Sequence, residues 1–116
     1  MTDKVIIYQV FTRLFGNRNT TRKECGTIAE NGSGKFNDFD SKTLKTIKKL
    51  GVSHIWYTGV IRHATQTNYS QYGIPSQCAT VVKGKAGSPY AICDYYDVDP
   101  DLAVNVEKRM DEFDKL

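Results

Sequence analysis

Apolar residues run almost unbroken from Val5 to Phe11, interrupted only by Gln9. A short β-branched and aromatic run of this kind predicts a strand over about residues 5–11, covered on both faces as in parallel sheets. In a barrel, Gln9 would point inward to a hydrogen-bond partner. A polar connection over 16–39 follows, carrying Gly16, Gly26, Gly32 and Gly34. Next, Leu44, Ile47 and Leu50 mark one face of a helix over about 41–50. Asp40 or Ser41 is placed to cap it, and Gly51 to end it in a left-handed conformation. Lys42, Lys45, Lys48 and Lys49 form its solvated side. A second strand is expected over about 52–58, followed by a long loop over 59–99. Asp99 as N-cap, Pro100 at the first position and Asp101 in the first turn then predict a helix over about 100–115. Its apolar positions are Leu102, Val106, Met110 and Phe113. Strand, helix, strand and helix in this order predict an α/β fold with a right-handed parallel crossover.

Both connections are long. Loops above about 12–15 residues are uncommon in compact domains unless they are functional or disordered. At 116 residues, 40% hydrophobic and 25% charged, the chain has the composition of an ordinary globular domain. A formal net charge of +3 with dispersed Lys and Arg gives no nucleic-acid signature. No apolar run approaches the roughly 20 residues of a membrane span. Nor does the start, Met1-Thr-Asp-Lys4, have the form of a secretory signal, so the expectation is an intracellular protein or one whose leader has been removed. Cys25, Cys78 and Cys93 are widely spaced, and neither His54 nor His63 stands at a ligand-like interval from them. Reduced thiols, some of them buried, are expected, and no zinc site.

The densest chemistry lies in Ser88–Pro100, thirteen residues that hold three tyrosines, three aspartates and two prolines. Tyrosine offers a flat apolar face with a polar tip, and aspartate accepts hydrogen bonds from hydroxyls or amides. A sugar ring, with an apolar face and a hydroxyl rim, is complementary to that combination. The alternative is a loop that buries its tyrosines and caps a helix with its aspartates. Asp97, Asp99 and Asp101 alternate like the start of an EF-hand, but Leu102 and Lys108 stand where that loop needs Gly and Glu. His63 is expected to hydrogen-bond to backbone.

Tyr90, Asp94 and then Tyr95-Tyr-Asp-Val-Asp-Pro100 resemble the segment after the second barrel strand of α-amylase-type glycoside hydrolases. Upstream, Tyr8-Gln-Val-Phe-Thr-Arg-Leu-Phe15 is similar to the first barrel strand of that family. Leu50-Gly-Val-Ser-His-Ile-Trp-Tyr-Thr-Gly59 is similar to the end of its first helix and its second strand. The resemblance implies the first two βα units of a TIM-type (β/α)8 barrel, incomplete, with long βα loops. Asn31–Asp40 is similar to the segment that bears calcium ligands in some members. Here Lys35 and Phe36 interrupt the acid spacing, so a glycine-rich turn with Phe36 and Phe39 tucked under the sheet is expected, and calcium is left to the full-length parent.

By resemblance, Tyr90 is the substrate-binding tyrosine that stacks on the sugar, while Asp94 and Tyr96 support its loop. Ala91, where chain-end trimming members carry an acid, leans towards endo action. Retaining hydrolysis needs two carboxyl groups about 5–5.5 Å apart, and the family carries them on later strands, so no catalytic residue is assigned. The implied parent cleaves α-glucosidic bonds of starch-like glucans, and this chain alone is expected to be inactive. It is expected to self-associate through its open sheet edges or to be completed by the rest of a barrel. The alternatives are a non-catalytic carbohydrate-binding or assembly module and an unrelated small α/β domain.

Overall fold

A computed structural model describes residues 4–116. Met1–Asp3, which belong to the start read above as no secretory signal, lie outside the described residues. Strand β1 (Ile7–Phe11) pairs in parallel with β2 (His54–Thr58), Ile7 opposite His54 and Phe11 opposite Thr58. Their β-branched and aromatic residues suit a pleated surface, and parallel neighbours require a crossover. The intervening chain supplies it through α1 (Thr12–Phe15), α2 (Ile28–Asn31) and α3 (Ser41–Lys48). Helix α2 opens on a capping box in which the Thr27 side chain accepts from the Glu30 amide and Glu30 reaches back to the Thr27 amide. Helix α3 is capped by Asp40, which accepts from the Thr43 amide at 2.8 Å, and the chain leaves it through left-handed Gly51 at φ +85°. Ile47 is buried and Leu44 partly so, but Leu50 lies past the last turn and is exposed.

Phe36 and Phe39 do the packing beneath. Phe39 stacks on Phe15 with ring centroids 4.8 Å apart and meets Tyr57 of β2 edge-on at 4.9 Å. Phe36, Val98 and Leu102 form the buried cluster, with Val60, Phe113 and Leu116 against it. Gln9 donates to the Thr58 hydroxyl at 2.9 Å but is exposed rather than enclosed. One face of the parallel pair is uncovered, with Ile7 57% and Trp56 54% exposed. No described helix is long and apolar enough to cross a membrane.

Three expectations need correction. The stretch 59–99 is not loop throughout: β3 (Ile61–His63) and β4 (Ile92–Val98) pair antiparallel in a second sheet. Gly59, at φ +83°, lets the chain turn out of β2, and the β-branched and aromatic content of 92–98 then fits a strand. The single helix over 100–115 is instead a 3₁₀ turn at Pro100–Leu102, another at Val106–Lys108, and α4 (Arg109–Asp114). It breaks because the Glu112 carboxylate accepts from the Val104 and Asn105 amides at 2.9 and 2.8 Å, and Asn105 caps the Glu107 amide. These bonds satisfy amides that a continuous helix would have used. Met110 is accordingly exposed. Finally, Cys25, Cys78 and Cys93 are free, and each is exposed rather than buried.

Leu102 is fully buried and Val104 is 67% exposed. Leu102→Ala is expected to lower unfolding free energy by about 2–5 kcal/mol, and Val104→Ala to change it by no more than about 0.5 kcal/mol. Urea denaturation of both variants checks this, and equal effects would remove Leu102 from the core.

Candidate functional site

The connection between β1 and β2 and the connection between β3 and β4 enclose a cleft of about 690 Å³. Arg13, Asn17, Asn19, Arg22 and Asn31 come from the first connection, and Gln66, Asn68 and Lys85 from the second. The lining is rich in amides, which offer both donors and acceptors. Asp101 supplies the one carboxylate among the lining residues. Gly34 lets the first connection pass close to the strand end, since a Cβ there would lie 2.4 Å from the Thr12 carbonyl oxygen.

Behind the cleft is a buried polar corner at Asp99-Pro100-Asp101. The Asp99 amide donates to the Val60 carbonyl at 2.8 Å, and Asp99 Oδ1 accepts from the Asp101 amide at 3.0 Å. The Tyr69 hydroxyl donates to Asp101 Oδ1, the Thr67 hydroxyl reaches Oδ2 at 3.5 Å, and Lys35 Nζ donates to the Asp101 carbonyl at 2.6 Å. Burial and the neighbouring Asp101 charge raise the Tyr69 hydroxyl's pKa. Asp99 Oδ2 is buried without a hydrogen-bond partner, and His63 Nε2 lies 3.7 Å from it. Burial, reinforced by Asp101, pushes Asp99 up to about 8. His63 is pushed down by burial, against the pull of the Ala86 and Ile61 carbonyls at 3.1 and 3.4 Å. Two groups driven towards their neutral forms do not make an ion pair, so the His63–Asp99 contact is steric and dipolar. His63 thus does bond to backbone, but from a strand rather than a loop.

The residues singled out from the sequence lie elsewhere. Tyr90 stands in a turn held by the Ser88 hydroxyl, at 3.3 Å from the Tyr90 amide, and is 75% exposed. It does not line the cleft, although Ala86 in the same connection does. Asp94 is in β4, accepts from the Tyr96 amide at 2.9 Å and pairs with Arg62 at 3.4 Å. The Tyr96 side chain is 95% exposed. The structure therefore brings Asp94 and Tyr96 together through the backbone and leaves Tyr90 apart from them. Asp97 lies between Arg62 at 3.6 Å and Arg109, whose guanidinium grips both its oxygens at 2.8 and 3.1 Å. Burial alone would raise Asp97, but the Arg109 bonds, the Val98 amide and Arg62 hold it below the usual carboxylate value.

Arg22, Gln66 and Lys85 carried no signal beyond membership of long polar connections. No group of three or more His, Cys, Asp or Glu side chains able to hold a metal occurs among the described residues. Comparison with protein-family models, with curated proteins and with solved structures gives no match.

A carboxyl that titrates near 4 unfolded and near 8 folded binds an extra proton in the folded state between those values. Stability therefore falls as pH rises through that window. His63 acts oppositely, but only below its ordinary value of 6.5. Between about pH 6.5 and 8 the wild type is expected to lose stability relative to Asp99→Asn, measured by denaturation at several pH values. Parallel profiles would show that Asp99 ionises normally.

Proposed function

We propose that this chain belongs to an α-amylase-type glycoside hydrolase and contributes a saccharide-binding surface to it. The observation that carries this reading is the position of the cleft at the carboxyl end of parallel strand β1, where Arg13 and Leu14 line it opposite the connection between β3 and β4. Ligands of (β/α)8 barrels and of open α/β sheets bind outside the carboxyl ends of the strands. Asn17 and Asn31 are bonded to backbone at both ends of their amides, which leaves the amides of Gln66 and Asn68 to suit a hydroxyl rim. Tyr90, exposed in the connection that borders the cleft through Ala86, is the stacking face. In the parent, further strands would cover Ile7 and Trp56, since parallel sheets are normally covered on both faces. In isolation, that face and the strand edges favour self-association.

Retaining hydrolysis takes two carboxyl groups, and of the cleft-lining residues only Asp101 offers one. The chemical step is therefore assigned to residues outside this chain. A second reading, a non-catalytic carbohydrate-binding module, is favoured by the exposure of Tyr90, Tyr95 and Tyr96.

Calorimetric titration with maltoheptaose tests the carbohydrate reading. Binding with a Kd of about 1 mM or tighter is expected, with Tyr90→Ala weaker by about tenfold and Tyr95→Ala unchanged. Absence of binding, or equal binding by Tyr90→Ala, removes Tyr90 from the site. The chain alone is expected to release no reducing sugar from soluble starch. Turnover at about 1 s⁻¹ or faster would overturn the assignment of the carboxylates to other segments.

A further inference from the structure

We propose that the cleft selects saccharides bearing an anionic ester such as a phosphate monoester, a step that rests on the carbohydrate reading above. The charge of its lining points there. Arg13, Arg22 and Lys85 line it, against the single carboxylate of Asp101. That carboxylate already receives the Tyr69 and Thr67 hydroxyls, one on each oxygen.

Three cations of the described chain outside the cleft are held in ion pairs. Lys23 meets Glu30 at 2.6 Å, and Arg62 and Arg109 share Asp97. No such pair involves Arg13, Arg22 or Lys85 among the described residues. Cations that outnumber the carboxylates around a concavity raise the local concentration of anions.

Arg13 is also held differently from a freely solvated side chain. Arg13 Nη1 donates to the Ala86 carbonyl at 3.2 Å, and its guanidinium carbon lies 5.1 Å from the centre of the Phe11 ring. One donor of its fork is thereby fixed, which leaves the others for a ligand. A guanidinium fork matches the oxygens of a phosphate. Arg22 has φ +52° and, with Cys25, is one of two non-glycine residues at positive φ in the described chain. Both belong to the first connection. Strained backbone of this kind gathers at ligand sites, where the surrounding structure enforces it. The amide side chains alongside would meet the sugar hydroxyls while Arg22 and Lys85 meet the ester.

The test is calorimetric titration of the full 116-residue chain with glucose 6-phosphate, glucose and inorganic phosphate in parallel. Glucose 6-phosphate is expected to bind about tenfold or more tightly than either other probe. Its advantage should shrink as salt is raised, and the double variant Arg22→Gln/Lys85→Gln should abolish it. Both side chains are exposed, and circular dichroism establishes that the variant is folded. Equal affinity for glucose and glucose 6-phosphate would overturn the proposal and leave the carbohydrate reading intact. Phosphate alone binding as tightly as glucose 6-phosphate would overturn it by showing an anion site that does not read the sugar. If glucose 6-phosphate does not bind, the proposal fails, and maltoheptaose with Tyr90→Ala then judges the carbohydrate reading separately.

Discussion

The structure turns on two carboxyl groups placed two residues apart in the interior. Asp99 and Asp101 are both buried, one on either side of Pro100. Two like charges so close in a poor dielectric repel strongly. The conflict is relieved unequally. Asp101 draws in Tyr69, Thr67 and, through its carbonyl, Lys35, whereas Asp99 keeps its proton up to about pH 8. Those three partners come from two separate stretches of the chain, so the corner ties the turn before α3 and the connection after β3 to the end of β4. Leu102 immediately afterwards enters the apolar cluster with Phe36 and Val98. Polar corner and core are thus fixed by the same few residues.

A third carboxylate explains why the carboxyl-terminal segment is not one helix. A carboxylate that caps two amides, as Glu112 does for Val104 and Asn105, competes directly with helical hydrogen bonds. Apolar spacing at Leu102, Val106, Met110 and Phe113 suggests helix, because period alone does not register a side chain folding back seven or eight residues. Only Leu102 of the four is fully buried.

The parts that were legible in the sequence were those set by local chemistry. The strand residues of β1 and β2, the Asp40 cap, left-handed Gly51 and the burial of Phe36 and Phe39 all follow from side chains within a few positions of one another. The second sheet did not, because its pairing joins Ile61–His63 to a partner about thirty residues on and includes irregular register shifts. No local period encodes such a pairing. The Tyr-rich stretch was visible as unusual, but its composition fits a loop as well as a strand. The cleft was the least legible part. Arg22 and Lys85 are far apart in sequence, and only the folded connections place them on one cavity.

A single carbonyl links the buried corner to that cavity. The Ala86 oxygen accepts from Arg13 Nη1 on the cleft side and lies 3.1 Å from His63 Nε2 on the buried side. Its position is set by Gly87, whose φ is +76° and where a Cβ would lie 1.9 Å from the Ala64 carbonyl oxygen. A side chain there would push the connection away from β3 and take Ala86 with it. The donor pattern of His63 and the placing of Arg13 are consequently not independent. A neutral imidazole has one N–H, and the shorter contact assigns it to Nε2 facing Ala86. Asp99 Oδ2 is then left without a donor, which is consistent with its proton being retained. The unpartnered oxygen inside and the fixed guanidinium outside are two consequences of one backbone approach at Gly87.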